Sequence, residues 1–182
     1  TVFDKLVNMS EDDFVMKEDT VVYDKDGKLV GSVNAGRYKY TEIKSISPYL
    51  YNGYIAVEDK RFKTHGGVDL LATMRAGVAL VKNGGDIKQG GSTITQQVIK
   101  NNLLTQKQTY SRKLTEVMLA PALESKFTKA DIMEFYCNSN FYGNRCYGIE
   151  TASKFYFGCS AKDLTLAQAA MLCGVSNSPN KY

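Results

Sequence analysis

The chain has 182 residues, with 23 basic and 19 acidic side chains and a single histidine. That length suits one domain able to hide about 70% of its unfolded surface. A composition 43% hydrophobic and 23% charged excludes a disordered chain. One histidine excludes any mechanism or metal site that needs two. Charge is uneven: residues 59–115 carry ten basic against three acidic side chains, and the remainder carries thirteen against sixteen. A basic middle suits an anionic partner, and it equally suits a solvated face.

In chain order, residues 1–19 are acidic and weakly patterned and read as a lead-in segment. Two β-prone runs, 20–23 and 28–33, flank Asp24-Lys-Asp-Gly27 and predict a hairpin. Ser47-Pro48 predicts a helix to about Val57. Residues 69–82 have helical apolar spacing and end at Gly84-Gly85. Ser92, after two glycines, is expected to cap a helix running to about Asn102. Residues 109–127 predict a long helix with an interruption at Pro121. Thr128-x-x-Asp131 and Thr165-x-x-Gln168 are capping boxes for two later helices.

The longest uncharged run, 164–180, is too short and too polar to span a membrane. The chain starts at Thr1 rather than Met, as expected if upstream sequence has been removed. Cys137, Cys146, Cys159 and Cys173 form no Cys-x-x-Cys pair and read as small buried apolar residues, with disulfides left open.

Three stretches carry chemistry. In the first, residues 56–67, Glu58 follows an apolar helix where a cleft can begin. A carboxylate there can act as a general acid or base, and it can equally be a solvated helix-end charge. His65 beside Gly66-Gly67 is read as bracing a tight turn. In the second, residues 89–100, glycines lead into a helix N-terminus, which suits close approach of an anion. Gln96, Gln97 and Lys100 are expected to share its polar face, although a capped surface helix explains the same pattern. In the third, residues 112–124, Arg112 and Glu116 are four apart. That spacing gives an ordinary exposed ion pair, or the second carboxylate of a glycosyl site.

Together these stretches resemble glycosyltransferase family 51, the peptidoglycan polymerase domain of class A penicillin-binding proteins and monofunctional transglycosylases. The matching residues are Glu58, Asp59, Phe62, His65 and Gly67; then Gly-Gly-Ser-Thr-Ile-Thr-Gln-Gln at 90–97 with Lys100 and Asn101; then Arg112, Lys113 and Glu116. Lys129-x-x-Ile-Met-Glu-x-Tyr-Cys-Asn138, Gly148-Ile-Glu-x-Ala152, Tyr156-Phe-Gly158 and Leu164-Thr-Leu-Ala-Gln-Ala-Ala follow in the family's order, so that the likeness covers residue 20 to the end. The family's arginine before the third motif is absent from Lys107-Gln108-Thr109, Cys137 replaces a leucine, and Gln168 stands where glutamate is common.

The resemblance implies a mainly α, lysozyme-like domain over residues 20–182, with the small N-terminal hairpin and a membrane-facing jaw; residues 68–80, with Leu70, Leu71, Met74, Val78 and Leu80, suit jaw surface and equally suit an ordinary core-facing helix. It also implies a C-terminus that stops short of the family's last helices. The activity implied is polymerisation of lipid II into β-1,4-linked glycan strands, with inversion and release of undecaprenyl pyrophosphate. Glu58 and Glu116 would be catalytic, Glu58 as the base. Asp59, Phe62, Ser92, Thr95, Gln96, Gln97, Lys100, Asn101, Arg112 and Lys113 would bind substrate, with Asp59 also steadying Glu58 and His65 structural. No cofactor is required, although Glu116 could hold a divalent cation, Mg or Mn. Partners would be lipid II, the nascent glycan, the membrane surface and a fused transpeptidase domain, but not nucleic acid. The site of action would be the extracytoplasmic face of a bacterial membrane, with an N-terminal anchor outside this chain. Two rival readings are a lysozyme-type glycan hydrolase and an inactive glycan- or membrane-binding module.

Overall fold

The computed structural model describes residues 4, 8–15, 20–33, 38–82, 91–104 and 109–179. The predicted hairpin forms as β1 (Thr20–Tyr23) and β2 (Leu29–Val33), antiparallel with Val22 opposite Gly31. Its turn closes because Asp24 Oδ1 accepts the N–H groups of Asp26 and Lys28, each at 2.9 Å. Gly27 there has φ 78°, a left-handed conformation costly for any residue with a Cβ.

The rest is helical: α1 (Pro48–Val57), α2 (Leu70–Lys82), α3 (Ile94–Leu103), α4 (Tyr110–Lys126), α5 (Lys129–Ser139), α6 (Ile149–Phe157) and α7 (Leu166–Asn177). This is the mainly α architecture expected of a lysozyme-like domain. The start of α1 has proline at its first turn, but Ser47 does not cap it. The Ser47 hydroxyl instead donates to Leu164 O at 3.0 Å and ties α1 to the approach to α7. Asp69 opens α2 by accepting from Ala72 N at 2.7 Å. Both predicted capping boxes form: Thr128 with Asp131 opens α5 and Thr165 with Gln168 opens α7. Gly84, Gly85, Lys107 and Gln108 lie outside the described residues. The chain runs helically through Pro121 as one continuous α4.

Within the core, α3 packs against both α4 and α5, and α1 packs against α7. Because α3 is covered on two sides, Ile94, Val98 and Ile99 are fully buried, and Thr95 and Gln96 go inside with them. The segment expected to be a loose lead-in contributes to this core. Phe14 is fully buried, stacked on Phe135 with ring centroids 4.9 Å apart and edge-on to Phe127 at 5.7 Å. A buried phenylalanine contributes about 2–3 kcal/mol, enough to pin an eight-residue approach whose Met9 carbonyl also accepts from Lys126 Nζ. Cys137, Cys146 and Cys173 are buried, Cys159 is half-buried, and all four are free thiols.

In contrast, α2 turns apolar residues to solvent. Leu70, Leu71, Met74 and Val78 are each more than half exposed. A core-facing helix would hide this face, so the helix-period pattern here marks an outer surface. Leu80 belongs to the same pattern, but its side chain is outside the described ones.

Candidate active site

Glu58 is the C-cap of α1, at the point where the apolar helix stops. Its carboxylate lines a cavity of about 910 Å³ together with Ser92, Gln97, Lys100, Asn101 and Glu116. Two amides hold it in place: Gln97 Nε2 donates to Oε2 at 3.1 Å and Asn177 Nδ2 donates to Oε1 at 3.0 Å. The carboxylate is therefore kept as an acceptor with lone pairs to spare, which is what proton abstraction requires.

A rigid clamp stands behind Glu58. Asp59 is buried, and its Oδ2 accepts from the first backbone N–H of α3, Ile94 N, at 3.0 Å. The same oxygen meets His65 Nε2 at 2.8 Å, while Gly67 N donates to His65 Nδ1 at 3.0 Å. That second bond makes Nδ1 an acceptor, so Nε2 carries the proton and donates to Asp59. Thr93 Oγ1 donates to Gly67 O at 2.6 Å, and Lys129 Nζ donates to His65 O at 2.7 Å. His65 thus fastens the loop after Glu58 to the start of α3, the bracing role its neighbours suggested. Gly67 lies flat against α4: a Cβ on it would sit 2.5 Å from the carbonyl carbon of Ala120.

The opposite wall is cationic. Glu116, buried on α4, accepts from Lys113 Nζ at 2.8 Å and lies 3.2 Å from Arg112 Nη1. Lys113 Nζ also donates to Ser92 Oγ at 2.7 Å. Arg112 Nε and Glu116 Oε1 are buried without a hydrogen-bond partner, so the pair holds unspent bonding capacity. Lys100 makes no hydrogen bond or ion pair among the described residues. Burial chiefly, then the positive charge of Arg112 and Lys113, holds its ammonium below the usual lysine range, and Glu116 and Glu58 oppose that shift. The cleft is therefore lined by Glu58, Lys100 and the buried Glu116, whose carboxylate Arg112 and Lys113 pair with.

Several expected substrate contacts are turned away from this cavity. Phe62 is fully buried under Lys129, whose Nζ lies 4.6 Å from its ring centroid. Thr95 is fully buried, and its hydroxyl donates to Glu124 Oε1 at 2.6 Å. Gln96 points inward, its Oε1 accepting from Thr93 N at 2.9 Å. It therefore does not share the cleft face with Gln97 and Lys100. Asp59 is occupied by its clamp. These four build the wall that the cleft rests on. The cap of α3 is Thr93 rather than Ser92, which frees the Ser92 hydroxyl for Lys113. Asn177, which reaches Glu58 from 119 residues away, and Tyr136 and Asn140, both on the cavity wall, are not among the candidates the sequence offers. Tyr136 falls within a family motif and could have been singled out there; Asn177 has no local signal.

Comparison with known families matches residues 26–182 to the transglycosylase family. The chain belongs to that family. This transglycosylase domain is 42% identical over 161 residues to penicillin-binding protein 1A of Neisseria gonorrhoeae, covering 88% of this chain and 20% of the relative. Penicillin-binding protein 1A of Pseudomonas aeruginosa matches at the same identity and coverage. The Aquifex aeolicus protein of that name is 40% identical over 161 residues. The chain spans about a fifth of the length of the curated relatives it matches. The likeness read from Glu58, the Gly-Gly-Ser-Thr-Ile-Thr-Gln-Gln helix and Glu116 to peptidoglycan glycosyltransferases therefore holds, and the domain is a glycosyltransferase.

Proposed function

We propose that this domain polymerises lipid II, with Glu58 as the general base. Glu58 takes the proton from the acceptor sugar hydroxyl as that oxygen attacks the donor's anomeric carbon. The bond to the lipid pyrophosphate breaks on the opposite face, and configuration inverts. The leaving group is already anionic, so it needs positive charge more than a proton. Lys100, Arg112 and Lys113 supply that charge, and Ser92 and Glu116 hold Lys113 in place. The observation that carries the reading is the cleft itself, lined by the amide-held Glu58 and by Lys100 and Glu116, with Arg112 and Lys113 paired to Glu116.

Glu116 does not fit a divalent cation in the arrangement described. Its carboxylate is already shared between Arg112 and Lys113. A dication would have to enter beside these two positive charges with that one carboxylate to offset them. The cations of the chain are assigned the task instead.

The exposed face of α2 is proposed to rest on the lipid surface that presents the substrate. It adjoins a groove of about 530 Å³ lined by Leu71, Met74, Val78, Arg61 and Arg75, apolar with basic edges, as suits an anionic membrane interface. Among the described residues no helix is long and apolar enough to cross a membrane. The place of action would then be the extracytoplasmic membrane face, within a longer protein that also carries a transpeptidase domain.

Incubation of the domain with lipid II alone separates this reading from a hydrolase. Glycan polymer with released lipid pyrophosphate supports transfer, whereas cleavage of preformed glycan without polymer overturns it.

A further inference from the structure

A chain of amide and phenol groups runs along the cavity wall to Glu58, and none of its middle members touches the base. Asn101 Nδ2 donates to Asn140 Oδ1 at 3.1 Å. In this arrangement the Asn140 NH2 group turns inward, buried and without a hydrogen-bond partner, beside the Tyr136 hydroxyl. With a donor on that side, the Tyr136 hydroxyl sends its own proton to Gln97 Oε1, at 3.4 Å. Gln97 then presents Nε2, not its oxygen, to Glu58 Oε2 at 3.1 Å. Every donor in the series points toward the base.

The direction matters because a glutamine side chain is nearly symmetric in shape. Reversed, Gln97 would set its carbonyl oxygen against the Glu58 carboxylate, replacing an attraction with a repulsion between two acceptors. The Glu58 carboxylate, which only accepts, favours the orientation seen, and the Tyr136 hydroxyl, by donating to Oε1, supports it from the other side. Tyr136 is 2% exposed, and burial first and the Glu58 charge second push its hydroxyl well above the usual tyrosine range, so it remains a donor wherever the protein is folded.

We propose that Tyr136 and Asn140 are positioning residues that act through Gln97 to hold the Glu58 carboxylate for proton abstraction. This rests on Glu58 being the base. The Asn101 end of the chain lies on the cavity surface, so a sugar held there sits at one end of the same series of hydrogen bonds that ends at the base.

The test is a double-mutant cycle read on kcat for lipid II polymerisation. Loss of one supporting hydrogen bond is expected to cost about tenfold in rate, equivalent to about 1.4 kcal/mol. Tyr136→Phe, which keeps the ring, should lower kcat about tenfold with KM unchanged and with little change in melting temperature. In a Gln97→Ala background the same substitution should cost less than about twofold, because the group it acts through is gone. Asn140→Asp, which turns the neighbouring amide donor into an acceptor and draws the Tyr136 proton away from Gln97, should follow the same pattern. A full second loss in the Gln97→Ala background, a loss confined to KM, or unchanged kcat in Tyr136→Phe overturns the proposal. Glu58→Gln, run alongside, keeps the two ideas apart. If that variant is inactive and the cycle is additive, only the chain of positioning fails; if it is active, the assignment of the base fails.

Discussion

Gly67 joins the loop after Glu58 to the middle of α4, and replacing it with alanine should separate them. Its φ is 95°, where a residue with a Cβ is strained by about 1 kcal/mol. The new methyl would meet Ala120 C at 2.5 Å, Ala120 O at 2.6 Å and Pro121 N at 2.9 Å, all backbone atoms of a helix that cannot turn aside. Relief needs a shift of about 1 Å, and overpacking of that kind costs about 1–3 kcal/mol. The sum is about 2–4 kcal/mol, which at a urea slope of about 2 kcal/mol/M lowers the unfolding midpoint by about 1–2 M. The shift also pulls on Gly67 O and Gly67 N, which bond Thr93 and His65, so polymerisation should fall about tenfold or more. Gly66→Ala is the control: no atom lies within 4 Å of its new methyl, and the midpoint should stay within about 0.3 M. Equal midpoints for the two variants would refute the reasoning.

Further outcomes follow from the same structure. If Lys100 meets the diphosphate as proposed, it does so protonated, and burial places its titration below the ordinary 10.5; polymerisation should therefore decline on the alkaline side before pH 10.5 is reached, and Lys100→Arg should move that decline upward in a pH–rate profile. Burial also raises the hydroxyls of Tyr54, Tyr136 and Tyr142, so the folded state keeps protons that the unfolded chain loses above its ordinary value of 10.0. The stabilisation this brings is complete below pH 10 and is lost as pH rises further, and urea midpoints measured between pH 8 and 11 should fall above pH 10. Leu71→Asp and Met74→Asp, both on the exposed face of α2, should each weaken binding to anionic vesicles about tenfold in a sedimentation assay, with the urea midpoint nearly unchanged.

Local signals were read well from the chain. Thr128 with Asp131 and Thr165 with Gln168 each announce a helix start in four residues, and the hairpin around Asp24 to Gly27 depends only on its own turn. Glu58 was legible for a similar reason, because the polar residue that ends an apolar helix falls at the edge of a core. What failed depended on packing from elsewhere. The spacing along α3 cannot show that α4 and α5 both cover it, so Gln96 reads as sharing the polar face with Gln97 and Lys100, and the resemblance adds Thr95, while their side chains serve Thr93 and Glu124. Phe14 lies in an acidic stretch with no period, and only the facing Phe127 and Phe135 make it core. The amide pair on Glu58 is the clearest case: Gln97 was visible within a motif, whereas Asn177 arrives from the far end of α7, brought there by the packing of α1 on α7.

The central claim is that Glu58 is the base, and it is tested most directly by Glu58→Gln with lipid II at saturating concentration. The substitution keeps size and shape but cannot take a proton, and loss of a general base costs about 10²- to 10⁴-fold. The account predicts a kcat reduced by at least about 100-fold, with the melting temperature and the binding of substrate retained. A variant that polymerises lipid II at near the wild-type rate would contradict it.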